Sequence, residues 1–216
     1  ENLPEFAEFM GALVERYDGD GNNDAPGSPQ VLYFELYNEP DSGPAGAQQR
    51  WGEHGKEYAA MLKAIYPVMK AANPQVNVVF GGIAYDFFTD TDPDIPANNG
   101  PFVRRFFEDA LANGAGSYFD IMNYHFYPLF GVNWTDDYLM DGPSLVKKTE
   151  AVRALMTKYG VDKPIIITEM GWHNNAMYPY GSDVLQVRMV VQLYAQSIVA
   201  GIPMATWWPL SDLGGA

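Results

Sequence analysis

Val31-Leu32-Tyr33-Phe34-Glu35-Leu36-Tyr37-Asn38-Glu39-Pro40 is an apolar, aromatic-rich run that stops at a polar pair and a proline. That composition predicts a buried strand over residues 31–37 with Asn38 and Glu39 at its C-terminal end. A second run of this kind, Ile165-Ile166-Ile167-Thr168-Glu169-Met170-Gly171-Trp172, also delivers one glutamate where the strand ends. Outward from these two, strand-like runs cover residues 76–80, 119–124, 164–168 and 202–207. The five start at residues 31, 76, 119, 164 and 202, a steady repeat of 38 to 45 residues.

Helical periodicity fills the gaps. Leu3–Arg16 places Phe6, Phe9, Met10, Leu13 and Val14 at three- and four-residue spacing. Residues 51–72 put Tyr58, Met61, Leu62, Ile65, Tyr66 and Met69 on one face, with Pro67 inside the pattern as a candidate kink. Residues 102–111, 144–159 and 183–200 read the same way. Strands alternating with helices at a constant period predict βαβ units and a parallel sheet.

Such units build either a doubly wound sheet or a barrel. No Gly-x-Gly-x-x-Gly follows the first strand, and there is no phosphate loop. Polar residues gather where strands end: Asn38-Glu39, Asp86, His125 and Glu169. Function at the C-terminal ends of many strands is the pattern of the α/β (β/α)8 barrel. Five strands are read where closure needs eight, and the first element is a helix. The expectation is one catalytic-type barrel domain over residues 1–216, entered at its third helix, with about three units (on the order of 100 residues) lying elsewhere. The chain is then a fragment, is completed by another chain, or forms an open half-barrel.

The chain has 27 acidic against 13 basic residues, a formal charge of -14. That surface repels phosphate backbones and anionic lipid, so neither nucleic acid nor a membrane is an expected partner. With no cysteine, thiolate metal sites, disulfides and cysteine nucleophiles are excluded. No apolar run approaches the roughly 18 residues that span a bilayer. No cofactor or metal signature is present, so none is expected. Glu1 in place of Met, without a signal pattern, predicts a processed or cut N-terminus.

Two strand-end glutamates are what glycoside hydrolysis needs: one carboxyl group protonates the leaving oxygen, the other attacks the anomeric carbon or activates water. Asn38-Glu39-Pro40 and, three strands later, Thr168-Glu169-Met170-Gly171-Trp172 resemble clan A of the glycoside hydrolases, which places its acid/base at the end of strand four and its nucleophile at the end of strand seven. Asn123-Tyr124-His125-Phe126-Tyr127-Pro128 carries the His-x-Tyr of cellulase-like and β-xylosidase-like members, and Trp207-Trp208 stand where the clan has a sugar-stacking tryptophan. The resemblance implies a retaining hydrolase of β-glycosidic bonds with a carbohydrate substrate. It makes Glu169 the nucleophile and Glu39 the acid/base, protonated first while Glu169 is ionised. It further implies that Asn38 holds a sugar hydroxyl, that Tyr127 and His125 hydrogen-bond at the centre, and that Trp207 or Trp208 stacks on the ring. An extracellular or periplasmic location follows from the resemblance alone. The competing expectation is an inactive or truncated barrel that only binds carbohydrate.

Other residues read more plainly. Glu35 shares strand parity with Glu39 and is expected in a structural ion pair. Trp172 either borders the cleft or packs under its loop. Trp51 and Trp134 are expected in packing or at a rim, and His54 and His173 to be ordinary. Asp18-Gly-Asp20-Gly-Asn22-Asn-Asp24 begins like a calcium loop, but Asn23 and Pro29 stand where that loop needs Gly and Glu, so a turn is expected. Asp90 to Asp94 reads as a solvated loop.

Overall fold

A computed structural model describes residues 2–43, 51–85, 102–103, 105–128, 144–174 and 181–209. The elements run α1 (Leu3–Arg16), β1 (Tyr33–Asn38), α2 (Gly55–Ala72), β2 (Asn77–Gly82), α3 (Phe106–Ala112), a short 3-10 turn (Ala115–Ser117), β3 (Met122–Phe126), α4 (Leu145–Lys158), β4 (Ile165–Met170), α5 (Asp183–Val199) and β5 (Ala205–Trp207).

All strand pairs are parallel. β1 pairs with β2, β3 with β4 and β4 with β5, while the parallel bridges Val79–Ile121 and Ile83–Tyr124 join β2 to β3. Spatial order therefore equals chain order. A doubly wound sheet reverses its order once; a singly wound barrel does not. Among the described residues there are five strands, so this is a partial barrel.

Three element starts fall later than the sequence reading because backbone amides there are used elsewhere. The Trp51 and Gly52 amides both bond Pro40 O at 3.0 Å, so α2 begins at Gly55 rather than at 51. Phe102 bridges Ser42, and Val103 N donates to Asp41 O at 2.8 Å, which delays α3 to Phe106. Ile202 N returns to Ser197 O at 2.9 Å as part of the helix end, leaving β5 only Ala205–Trp207. Pro67 sits inside α2 on its exposed side, and the helix runs on to Ala72.

The core lies between strands and helices. Tyr58 from α2 meets Phe80 at 5.0 Å and Phe106 at 5.1 Å, and Phe80 meets Phe107 and Phe119 edge-on. Each such pair adds about 0.5–1.5 kcal/mol beyond area burial. The buried Tyr58 hydroxyl is itself satisfied: it donates to Leu36 O at 2.8 Å and accepts from Gly81 N at 3.0 Å. That one side chain pins the C-terminal ends of β1 and β2 together. At the opposite end, Asp120 accepts from Val78 N, Tyr66 OH and Lys70 Nζ, each at 2.9 Å.

Candidate active site

The end of β1 is strained. Tyr37 and Glu39, neither a glycine, have φ of 70° and 48°. Left-handed backbone of this kind costs roughly 1–2 kcal/mol per residue and persists where surrounding contacts over-determine it. Here the fixing contacts are Ser42 N to Glu39 O at 3.1 Å and the two amides on Pro40 O. They hold Glu39 half-buried at the mouth of the strands.

Register shifts position the partners. The β3–β4 ladder slips between Tyr124 and His125, so that His125 stands opposite Glu169. Bulges re-aim side chains in this way. His125 is 2% exposed. Its Nδ1 lies 3.1 Å from Glu39 Oε1 and 3.6 Å from Glu169 Oε2. Its Nε2 lies 3.2 Å from Thr168 Oγ1, which accepts from Asn123 Nδ2 at 2.7 Å. Tyr127 OH donates to Glu169 Oε2 at 2.7 Å, and burial, then this bond to the carboxylate, pushes the phenol well above its usual range. One oxygen each from Glu39 and Glu169 and one nitrogen of His125 lie within 4.8 Å of one another. A β-carbon on Gly82 would collide with the His125 ring, so glycine is required there.

Glu35 is more than an ion-pair partner. Its Oε1 accepts from Gly82 N at 3.0 Å and stands 4.0 Å from His125 Nε2. Burial raises its carboxyl above the ordinary value, against the Gly82 amide, the charge of His125 and a bond from Thr168. His125 is thus surrounded by three glutamates.

Two residues of this neighbourhood were not singled out from sequence. Asp41 is 1% exposed; it accepts from Ala84 N at 3.0 and 3.2 Å and from Tyr85 N at 2.8 Å. Burial pushes its carboxyl up to about 7, against those two amides. Lys148, fully buried at the start of α4, donates to His125 O at 2.8 Å and lies over the Tyr124 ring. An Asp directly after Glu-Pro, and a Lys among the apolar positions of α4, were the available signals; neither forms a recognised motif.

The other expected residues differ in their surroundings. Asn38 is exposed at the end of β1, opposite Gly82. Trp208 is 49% exposed, while Trp207 packs partly on the core. Trp172 is 5% exposed, packed with the core and stacked on His173 at 5.7 Å. Trp51 packs edge-on between Tyr37 and Tyr58, and His54 is on the surface beside Glu57. Asp18, Asp20 and Asp24 also bring carboxylate oxygens within 4.8 Å of one another, but they bond the turn's own amides: Asp20 N to Asp18, Asn22 N to Asp20, Gly21 N to Asp24. Asp86, Asp90 to Asp94 and Trp134 lie outside the described residues.

Two carboxyl groups this close, one held by a tyrosine and both near one imidazole, have the arrangement in which one can donate a proton and the other attack across a single bond. Residues 5–210 match the sequence profile described as Cellulase (glycosyl hydrolase family 5). No curated protein matches the chain by sequence. Among solved structures, an endo-1,4-beta-mannanase from Rhizomucor miehei is 18% identical with a TM-score of 0.58, over 94% of this chain and 51% of its own. A glucosidase from Croceicoccus marinus is 15% identical with a TM-score of 0.64, over 96% of this chain and 38% of its own. A family 44 xyloglucanase from Paenibacillus polymyxa is 16% identical with a TM-score of 0.59, over 96% and 46%. At such identities the likeness is one of fold, and the chain spans about half the length of the mannanase, and less of the other two.

Proposed function

The chain belongs to the cellulase family, glycosyl hydrolase family 5, and from that premise we propose that it hydrolyses β-glycosidic bonds by a retaining double displacement. The observation that carries this reading is that one carboxylate oxygen of Glu39 and one of Glu169 lie within 4.8 Å of each other. Retaining enzymes hold their carboxyl groups about 5–5.5 Å apart, whereas inverting enzymes leave roughly 6.5–9.5 Å for a water.

In the first step the Glu169 carboxylate attacks the anomeric carbon as Glu39 gives its proton to the leaving oxygen. In the second, Glu39 takes a proton from water, which displaces Glu169. Tyr127, donating to Glu169 Oε2 at 2.7 Å, holds one oxygen so that the other faces the sugar. His125 keeps the two carboxyl groups in register through Nδ1. Asn38 takes the hydroxyl beside the anomeric carbon, and the exposed Trp208 ring supplies the stacking face. The substrate is a β-linked polysaccharide or its fragments, and the enzyme works outside the cytoplasm, in the extracellular or periplasmic space. The described residues contain no helix long and apolar enough to cross a membrane.

The reading is checked with aryl β-glycosides of cellobiose, mannobiose and xylobiose, following the first-formed anomer by proton NMR. Release of the β-anomer is expected from at least one of them. Release of the α-anomer would overturn the retaining mechanism. Binding of the oligosaccharides with no turnover would favour a chain that only holds carbohydrate.

A further inference from the structure

Asp41 has no part in the two chemical steps, yet it is among the most thoroughly enclosed carboxyl groups in the described residues. It follows Glu39 by two positions in the loop that leaves β1. Its side chain reaches to the loop after β2, where both oxygens lie within hydrogen-bond distance of Ala84 N and Oδ2 also takes Tyr85 N at 2.8 Å. Its main-chain oxygen takes Val103 N at 2.8 Å, and Ser42 bridges Phe102. One residue therefore ties three segments: the loop carrying Glu39, the loop after β2, and the lead-in to α3. The backbone it secures is left-handed at Glu39, φ 48°, a conformation that relaxes unless held. Lys148, buried under His125, contributes a favourable charge, and Glu39 an unfavourable one.

We propose that Asp41 is a positioning residue, whose carboxyl clamps the Ala84 and Tyr85 amides and so keeps the Glu39 side chain at the point of proton donation. This rests on the assignment of Glu39 as proton donor. A clamp of this kind acts by placing an acceptor oxygen; its charge is secondary. Asp41→Asn keeps an oxygen for the two amides and Asp41→Ala removes it.

The account is tested on the wild type and both variants, reading kcat/KM for a phenyl and a dinitrophenyl β-glycoside of the best disaccharide. The dinitrophenolate leaves without protonation, so a misplaced Glu39 is felt by the phenyl substrate alone. Asp41→Ala is expected to lose about 100-fold on the phenyl glycoside and under about 5-fold on the dinitrophenyl one, with Asp41→Asn recovering most of the loss. Equal losses on both substrates, or a loss in Asp41→Asn as large as in Asp41→Ala, would overturn the clamp. Amide exchange decides the same point without turnover. The Ala84 and Tyr85 amides should be protected in the wild type and in Asp41→Asn and exchange at least about 10-fold faster in Asp41→Ala. Unprotected amides in the wild type refute the proposal even if Asp41→Ala does not fold. Protected amides in a wild type that hydrolyses no glycoside would leave the clamp standing and remove the catalytic reading instead.

Discussion

Glu169 Oε2 receives the Tyr127 hydroxyl at 2.7 Å and lies 3.6 Å from His125. Tyr127→Phe takes away the donor while keeping the ring. We expect kcat to fall by about 10- to 100-fold with little change in KM, measured on an aryl glycoside, because the bond orients the proposed nucleophile rather than substrate. Gly82→Ala acts from behind. The added β-carbon meets the Nε2 edge of the His125 ring, and the Nδ1 edge is backed by Glu39 and Glu169, so the ring cannot retreat. The fold is expected to lose on the order of 1–3 kcal/mol in urea titration, and activity about 100-fold, since an ångström of displacement at such a centre costs that much. Wild-type activity in a folded Gly82→Ala would contradict the role given to the imidazole.

At the scale of elements, strand ends were legible and loop partners were not. Glu39, Glu169 and His125 each follow an apolar, β-rich run, and those runs, together with the resemblance to clan A, single them out in the sequence. The structure then brings the three together through a register shift between Tyr124 and His125, which leaves no mark in composition. The starts of α2 and α3 were read four residues early for a related reason: the amides of Trp51, Gly52 and Val103 bond Pro40 and Asp41 across the chain, and apolar periodicity is blind to such contacts. Trp172 shows the limit again, because a tryptophan after a strand-end Met-Gly is equally suited to core or cleft, and its stack on His173 has no signature in the sequence. Lys148 belongs here too. It enters from α4 and holds the end of β3 through His125 O. Lys148→Met, which keeps length and loses the bond, is expected to cost about 1–3 kcal/mol by thermal unfolding. It should also lower activity, because the end of β3 carries His125.

Over the whole molecule, two aspartates, the buried Asp41 and the half-buried Asp120, pull the pH dependence of stability in opposite directions. Burial raises Asp41 from the ordinary 3.8 to about 7. The folded state thus holds a proton that the unfolded chain releases, so the contribution is fully present below pH 3.8 and lost as pH rises through about 7. Asp120 goes the other way: although burial opposes it, bonds from Lys70, Val78 and Tyr66 bring it below 3.8, so its contribution is present above that pH and lost on acidification. Tm curves for the wild type and Asp41→Asn should therefore diverge between pH 4 and 7, the wild type losing stability relative to the variant as pH rises. Parallel curves would mean that Asp41 titrates alike in both states.

The claim on which everything else depends is that Glu169 becomes covalently bonded to the sugar. An aryl β-glycoside fluorinated at the carbon beside the anomeric centre slows release of the intermediate and allows it to be trapped. Mass spectrometry of the digested protein should then show one glycosyl adduct, on the peptide containing Thr168-Glu169-Met170, absent from Glu169→Gln and lost on transfer to an acceptor sugar. An adduct on Glu39 or Glu35 would contradict the assignment, and turnover of the unfluorinated glycoside without any adduct would contradict the double displacement itself.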